Sequence, residues 1–576
     1  MGPVEARAVE VVARIAAYDA VQAAAWIERF PDAAVIAAAR VVDARVAAGE
    51  ALPLAGTFCA VKDNIDVAGL PTTAACPGFL YQPQASAPVV ERLIAAGAVV
   101  VGKTNLDQFA TGLVGTRSPY GVPACVFNRA YVSGGSSAGS AVAVAAGLVD
   151  FALGTDTAGS GRVPAAFNGL LGFKPTKGRW SSRGVVPACR SLDCVTVFTH
   201  DTALAATVDD VVAGFDEADP YSRRAPAKPA LPAAFRFGVP RPDQLQFFGD
   251  LEAEAMFAAA VQRVMAAGGT PVEADIDPLL EAAQLLYAGP WVAERTAALE
   301  GILRDAPGAV HPVVRAIVQP GAGLSAVETF RGLYQLQAFA RTAERMWQGI
   351  DTLLLPTTGT IYRIAEVLAE PFALNANLGR YTNFVNLLDL AAIAVPAGFR
   401  LNGTGFGVTL IGPAWSDRAL LDLATRYLET SPMPEPPALD TAGKPQTVRL
   451  CVVGAHLAGM PLHWQLISRD ARLVAKTCTA PAYKLYAIAN STPPKPALIH
   501  VGEGGGSLEV EVYELDVAAF GSFVVEVPPP LAIGTVTLED GSSVKGFVAE
   551  PRAIEGASDI TALGGWRAYI SSLQNT

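Results

Sequence analysis

Residues 133–177 read SGGSSAGSAVAVAAGLVDFALGTDTAGSGRVPAAFNGLLGFKPTK, two Gly/Ser-rich turns on either side of an apolar run. Ser136 and Ser160 sit in those turns, each directly after a glycine. Glycine in ordered structure costs backbone entropy, so this many small residues together point to a backbone that approaches a ligand closely. In DTAGSGR, the successive N–H groups of Thr157, Ala158, Gly159 and Ser160 can converge on one oxyanion beside a serine hydroxyl. The stretch predicts a serine nucleophile with an oxyanion hole built into its own loop.

Outward from this stretch, apolar runs at 57–61 and 98–101 alternate with helix-like segments at 89–96 and 138–147. That alternation predicts an α/β fold with helices on both faces of a sheet. Residues 5–49 are rich in alanine, with Val, Ile and Trp at helical spacing, and predict two helices split near Pro31. The pattern runs to about Leu428. Residues 431–446, SPMPEPPALDTAGKPQ, carry five prolines and no periodicity, which reads as a linker. Beyond it, VRLCVVGAH, SLEVEVYEL and GSFVVEV are short β-rich runs between glycine and proline turns. The expected organisation is a domain over 1–430 (with N-terminal helices over 1–50), a linker over 431–446 and a small α+β domain over 447–576.

The 576 residues are 51% hydrophobic and 17% charged, a balance that suits large buried cores. A net charge of -11 argues against nucleic acid as a partner. The alanine-rich runs are broken well before the ~18 apolar residues that a membrane span needs. Seven cysteines without a CxxC pair read as reduced thiols, and the N-terminus lacks a basic start followed by an apolar stretch. A cytoplasmic protein without membrane attachment is expected. The Ala-rich N-terminal helices suit a homodimer. No Cys/His/carboxylate cluster has ligand spacing, so neither a metal nor another cofactor is expected.

A serine nucleophile needs a base. Of the five histidines, only His200 and His311 precede the linker, and neither sits in a strong motif. The G-x-S-x-G elbow is also missing around Ser160. Lysine is the alternative. Lys62, in GTFCAVKDNIDVAG, closes an apolar strand-like run, where burial disfavours the ammonium form and leaves an amine able to take a proton. A lysine closing a strand and pairing with Asp63 or Asp66 fits the same spacing.

GGSSAGSAVAVAAG, ALGTDTAGSGRVPAAFNGLLGFKPTKG and AVKDNIDVAGLPTT together resemble the amidase signature family over roughly residues 50–425. The resemblance implies that family's fold, a mixed central sheet flanked by helices. It also implies a Ser–cis-Ser–Lys triad, with Ser160 as nucleophile, Ser136 as the bridging serine with a cis peptide, and Lys62 as base. It implies an oxyanion hole from the N–H groups of Thr157, Ala158, Gly159 and Ser160. Ser137 and Asp156 become candidates for binding substrate directly or supporting the residues that do, with a loop cap the plain alternative at Asp156.

AWIERFPDAAVIAAARVVDAR, LLYAGPWVAERTAALEG and GRYTNFVNLLDLAAIAVPAG resemble the allophanate hydrolases within that family. Allophanate, urea-1-carboxylate, is a small anion whose recognition calls for a guanidinium. Tyr287 and Arg295, eight residues apart, are expected on one helix face, and the resemblance implies that both touch substrate. A surface arginine and a buried tyrosine are the plain reading, and Arg162 is a second carboxylate-binding candidate. VVGAHLAGMPLHWQL resembles the carboxy-terminal domain of the same enzymes, which is similar in fold to the γ-glutamylcyclotransferases; there Gly454–Gly459 would form an anion-accepting turn. No acidic residue follows Leu515-Asp516 in VAAFG, which speaks against cyclotransferase activity. His456 and His463 are the titratable candidates of that domain.

The reaction implied is hydrolysis of the terminal amide through a Ser160 acyl-enzyme to ammonia and N-carboxyurea, which the second domain helps convert to ammonia and carbon dioxide. A functional link to urea carboxylase goes with it. Two alternatives remain: an amidase of another small carboxylated amide with a non-catalytic binding or oligomerisation module at its C-terminus, and an amidotransferase component of the glutamyl-tRNA type.

Overall fold

Eleven strands build the sheet that carries the Gly/Ser-rich turns. In the computed structural model, which describes residues 1–226, 230–441, 447–469, 471–489 and 491–574, they are β1 (Trp26–Arg29), β2 (Phe58–Lys62), β3 (Val99–Thr104), β4 (Phe151–Asp156), β5 (Leu171–Lys174), β6 (Cys194–Thr199), β7 (Phe235–Pro240), β8 (Gly269–Ala274), β9 (Thr352–Pro356), β10 (Leu390–Phe399) and β11 (Gly405–Pro413). Their order is β1-β3-β2-β4-β6-β5-β10-β11-β9-β7-β8. The sheet is mixed. β2 runs parallel to β3 and β4, whereas β6 is antiparallel to both β4 and β5.

Both faces of the sheet are buried, and alternate residues feed opposite layers. Cys59 and Val61 of β2 face one core with Val89, Leu93 and Val208, while Phe58 and Ala60 face another with Val142, Val144 and Val12. Period-2 alternation inside a wholly apolar run is what a sheet covered on both sides requires. Because β2 and β4 are parallel neighbours, with Val61 opposite Leu153, their C-terminal ends lie on the same edge. Lys62 ends β2, Asp156 ends β4, and the turns with Ser136 and Ser160 gather there.

The N-terminal region holds more than two helices. Helices Pro3–Gln22 and Asp32–Ala47 flank β1, which pairs antiparallel with β3 and places Arg29 opposite Gly102. The Ala23–Ala25 run hides this short edge strand in helical composition, and its buried Trp26 anchors it.

The chain divides into two compact units, Met1–Thr441 and Ala442–Thr576. Part of the proline-rich segment lies with the first unit: Asp440 donates its N–H to the Val126 carbonyl, and its carboxylate accepts from the Arg129 N–H at 2.8 Å. Residues 442–446 of the expected linker lie outside the described residues. The second unit has a five-stranded sheet and a three-stranded sheet around Leu450, Val512, Phe547 and Trp566. No helix among the described residues is long and apolar enough to cross a membrane.

Candidate active site

Lys62 is fully buried at the end of β2, and its ammonium nitrogen makes no ion pair among the described residues. Nζ donates to Ser136 Oγ at 2.8 Å and to Thr155 Oγ1 at 2.7 Å. Burial pulls its pKa down to about 7, against the opposing pull of Asp107, Asp193 and Asp156. Asp63, the next residue in the chain, is committed to Lys103 at 3.0 Å and to the Thr73 N–H.

The Gly135–Ser136 peptide is cis. No side chain fits at 135, where a Cβ would lie 2.1 Å from Asp107 Oδ2 and 2.6 Å from the Gly115 nitrogen. Asp107 organises this corner: its carboxylate accepts the N–H groups of Val114, Gly115 and Arg117, and its own N–H donates to the Ser136 carbonyl. Ser137 does not face a substrate position. It is buried and exchanges hydrogen bonds with the Thr155 backbone, donating at 3.1 Å and accepting at 3.3 Å.

The nucleophile loop after β4 is wound around Asp156. That carboxylate accepts the Gly159 N–H at 2.8 Å, the Gly161 N–H at 3.0 Å and a bidentate Arg162 guanidinium at 2.9 and 3.0 Å. Burial alone would raise its pKa, but Arg162 and the N–H donors outweigh burial and hold it low. Two expectations change here. Asp156 and Arg162 are consumed by each other inside the protein, so neither is offered to a substrate. The Gly159 N–H, one of the four expected to hold an oxyanion, is likewise spent on Asp156. Gly159 has φ +126°, and a Cβ there would stand 2.4 Å from Thr382 Oγ1. Thr382 in turn donates to the Ala158 carbonyl at 2.6 Å.

Ser160 is buried, and its Oγ donates to the Gly112 carbonyl at 3.4 Å rather than to Ser136. Lys62 and Ser136 are therefore joined, whereas the Ser160 hydroxyl is turned to the Gly112 carbonyl. Gly112 adjoins Thr111, on which two guanidiniums converge. Arg295 Nη1 donates to Thr111 Oγ1 at 3.2 Å, and Arg117 Nη1 to the Thr111 carbonyl at 3.0 Å. Both arginines are 1% exposed, and neither forms an ion pair among the described residues. Buried guanidiniums without an ion pair are costly to hold charged.

Arg295 and Tyr287 do not share a helix. Tyr287 ends helix Asp277–Ala288, and Arg295 belongs to Trp291–Asp305; the Gly289–Pro290 break separates them, since proline disfavours helical backbone at the preceding residue. They meet all the same, the guanidinium 5.3 Å from the Tyr287 ring centroid. Tyr287 and Arg117, with Asn375, Asn377 and Asn383, line a cavity of about 610 Å³.

Asp193 links the site to the arginine helix. It accepts the Thr157 hydroxyl on the nucleophile loop and the Ala188 and Cys189 N–H groups at 2.9 and 3.2 Å, and burial pushes its pKa up to about 6. On the same loop, the Ser191 N–H and hydroxyl both bond the Glu294 carboxylate at 2.7 Å, one residue before Arg295. Sequence reasoning missed Thr155, Asp107, Asp193 and Arg117. His200 and His311 do not reach the site: His200 Nε2 meets the Val144 carbonyl, and His311 caps helix Pro312–Val318.

In the second unit, His456 Nε2 lies 2.7 Å from Gln465 Oε1, and its ring stacks on Phe547 at 4.9 Å; burial lowers its pKa. His456 lines a cavity of about 150 Å³ that also presents Lys495 and Glu526. His463 meets the Tyr513 hydroxyl at 3.0 Å and is not among that cavity's walls. No group of three or more His, Cys, Asp and Glu that could hold a metal ion occurs among the described residues.

Family comparison agrees with this partition. The Amidase family model matches residues 8–421, and the model for the Allophanate hydrolase C-terminal domain matches residues 448–571. Urea amidolyase of Saccharomyces cerevisiae is 46% identical over 549 residues, 91% of this chain but 30% of that protein. The chain thus spans about a third of the length of the curated urea amidolyases it matches. The solved allophanate hydrolase of Kluyveromyces lactis superposes with a TM-score of 0.72 at 42% identity, covering 100% of this chain and 97% of that one. A glutamyl-tRNA(Gln) amidotransferase component of Deinococcus deserti is 37% identical over 417 residues, covering 66% of this chain and 85% of that protein.

Proposed function

This chain belongs to the amidase family and carries an allophanate hydrolase C-terminal domain, and from that premise we propose that it hydrolyses allophanate. The observation that carries the reading is the buried, unpaired Lys62 amine 2.8 Å from Ser136 Oγ, with two guanidiniums lacking carboxylate partners converging beside the nucleophile loop.

In the proposed cycle the Ser160 hydroxyl swings from the Gly112 carbonyl to Ser136 and passes its proton through Ser136 to Lys62. Ser160 attacks the terminal amide carbon, and the oxyanion is held by the N–H groups of Thr157, Ala158 and Ser160, each such donor lowering the barrier by roughly 3–4 kcal/mol. Lys62 returns the proton through Ser136 to the departing ammonia, and water then releases the acyl group. Arg295 and Tyr287 hold the substrate carboxylate, with Arg117 as the second guanidinium. Atom balance corrects one product: replacing the terminal amine of urea-1-carboxylate by hydroxyl leaves a carbamate bearing a second carboxylate on nitrogen, because N-carboxyurea is the substrate itself. The second unit takes that dianion to ammonia and carbon dioxide, with His456, beside Lys495 in the cavity, as the group that moves a proton.

A cytoplasmic, homodimeric enzyme supplied by a urea carboxylase completes the reading, and the seven free cysteines suit a reducing compartment. The amidotransferase alternative accounts for the first unit alone and leaves residues 448–571 unexplained. A panel of allophanate, biuret, malonamate and glutamine, with ammonia counted per molecule consumed, tests the proposal. Allophanate should dominate and yield two ammonia, and Ser160→Ala should abolish release with the fold intact. Preference for glutamine would overturn it.

A further inference from the structure

Behind the nucleophile loop, on the outer side of residues 189–193, a cleft of about 510 Å³ opens within the first unit. Three cations line it: Lys177, Arg190 and Arg223. Three carboxylates do as well, but each is occupied. Asp389 is paired bidentately with Arg223 at 2.8 and 2.9 Å, Glu344 is paired with Arg341, and Asp193 is turned to its three donors, Thr157 and the Ala188 and Cys189 N–H groups. Lys177, half-buried, and Arg190, exposed at the cleft's mouth, have no carboxylate partner among the described residues. Among the described residues, Lys177 Nζ has only the Ser191 carbonyl, at 3.5 Å. Burial lowers the Lys177 pKa against the opposing pull of the Asp389 carboxylate, which is itself paired with Arg223.

Two further features describe the missing partner. Trp347 also lines the cleft, and its indole N–H is buried without an acceptor among the described residues, a state that buried donors rarely keep. Leu336 and Leu388 supply apolar wall beside these donors. From the two free cations, the orphan indole N–H and the leucine wall, we propose that this cleft binds a small organic carboxylate, separate from the site that cleaves the amide.

Such a ligand would act on catalysis through the loop it sits against. Arg190 and the carbonyl that Lys177 touches belong to the segment whose inner side holds Thr157 through Asp193 and the Arg295 helix through Ser191 and Glu294. An anion drawing Lys177 and Arg190 together shifts the loop against both contacts, so its binding and the turnover rate are coupled.

Calorimetric titration of the full chain with hexanoate, inorganic phosphate and the neutral hexanamide tests the site without requiring turnover. Hexanoate should bind, phosphate more weakly, and hexanamide not at all. Lys177→Met or Arg190→Gln should weaken hexanoate about tenfold, the loss of one charge-assisted contact, with the thermal midpoint unchanged. In ammonia-release assays, hexanoate should alter kcat without competing with substrate, and this effect should vanish in the double variant. Identical titrations for wild type and variants would overturn the site, as would purely competitive inhibition. Phosphate binding as tightly as hexanoate would overturn the carboxylate assignment. A protein inactive on allophanate that still binds hexanoate through Lys177 would sink the proposed function and leave the cleft standing.

Discussion

Lys62 owes its chemistry to what it lacks. Two hydroxyls, Ser136 and Thr155, hold its amine in place, no carboxylate contacts it among the described residues, and burial outweighs the longer-range pull of Asp107, Asp193 and Asp156, which sets the balance near neutrality. The protonated amine cannot accept a proton. Activity should therefore fall as pH drops through about 7, and the acid limb of kcat/KM should report that midpoint. Lys62→Ala should lower kcat by roughly 10²–10⁴-fold, the usual contribution of a positioned base; a variant keeping half its rate would exclude the amine from proton transfer. At Gly159, a Cβ would collide with Thr382 while the backbone keeps φ at +126°. Gly159→Ala should cost at least about 1–3 kcal/mol of stability from backbone strain alone and lower kcat more than it raises KM, measurable by thermal unfolding beside steady-state rates.

Elements, rather than single residues, place the arginine. Helix Trp291–Asp305 carries Arg295 and is clasped by Ser191 through Glu294, while Asp193 on the same loop grips Thr157. Glu294→Gln should loosen that clasp and raise KM for allophanate by about tenfold, with a smaller effect on an uncharged amide of similar size; equal effects on both would mean the helix is not held by it. This level is also where sequence reading reaches its limit. The motif strings place Lys62 at a strand end and the two serines in turns, because those signals are local. Thr155 is 93 residues from Lys62, and Arg117 donates to a carbonyl 254 residues away, so only the folded chain brings them together. The break between Tyr287 and Arg295 is written in Gly289–Pro290, yet helical spacing on either side of it suggests one continuous helix. β1 escapes notice because four residues between two Ala-rich helices carry too little period-2 signal to stand out.

For the whole molecule, the two compact units divide the chemistry proposed above. Residues 1–441 expressed alone should still cleave the amide and release the first ammonia of each allophanate at once, the second following slowly as the dicarboxylated amine decays without enzymatic help. Full-length protein should release two at the same initial rate for the first. If the fragment matches the complete stoichiometry and speed, the second unit has no part in the reaction.

The parallel pairing of β2 with β4 carries a consequence for evolution. Lys62 closes β2 and Ser160 lies on the loop that follows its parallel neighbour β4, whereas the groups proposed to read the substrate stand on helices and loops far along the chain. A lineage can exchange the reading parts while the reacting parts stay in register. One ancestral chassis can thus be retooled for new amides by drift at its periphery, with little risk to the machinery at its centre.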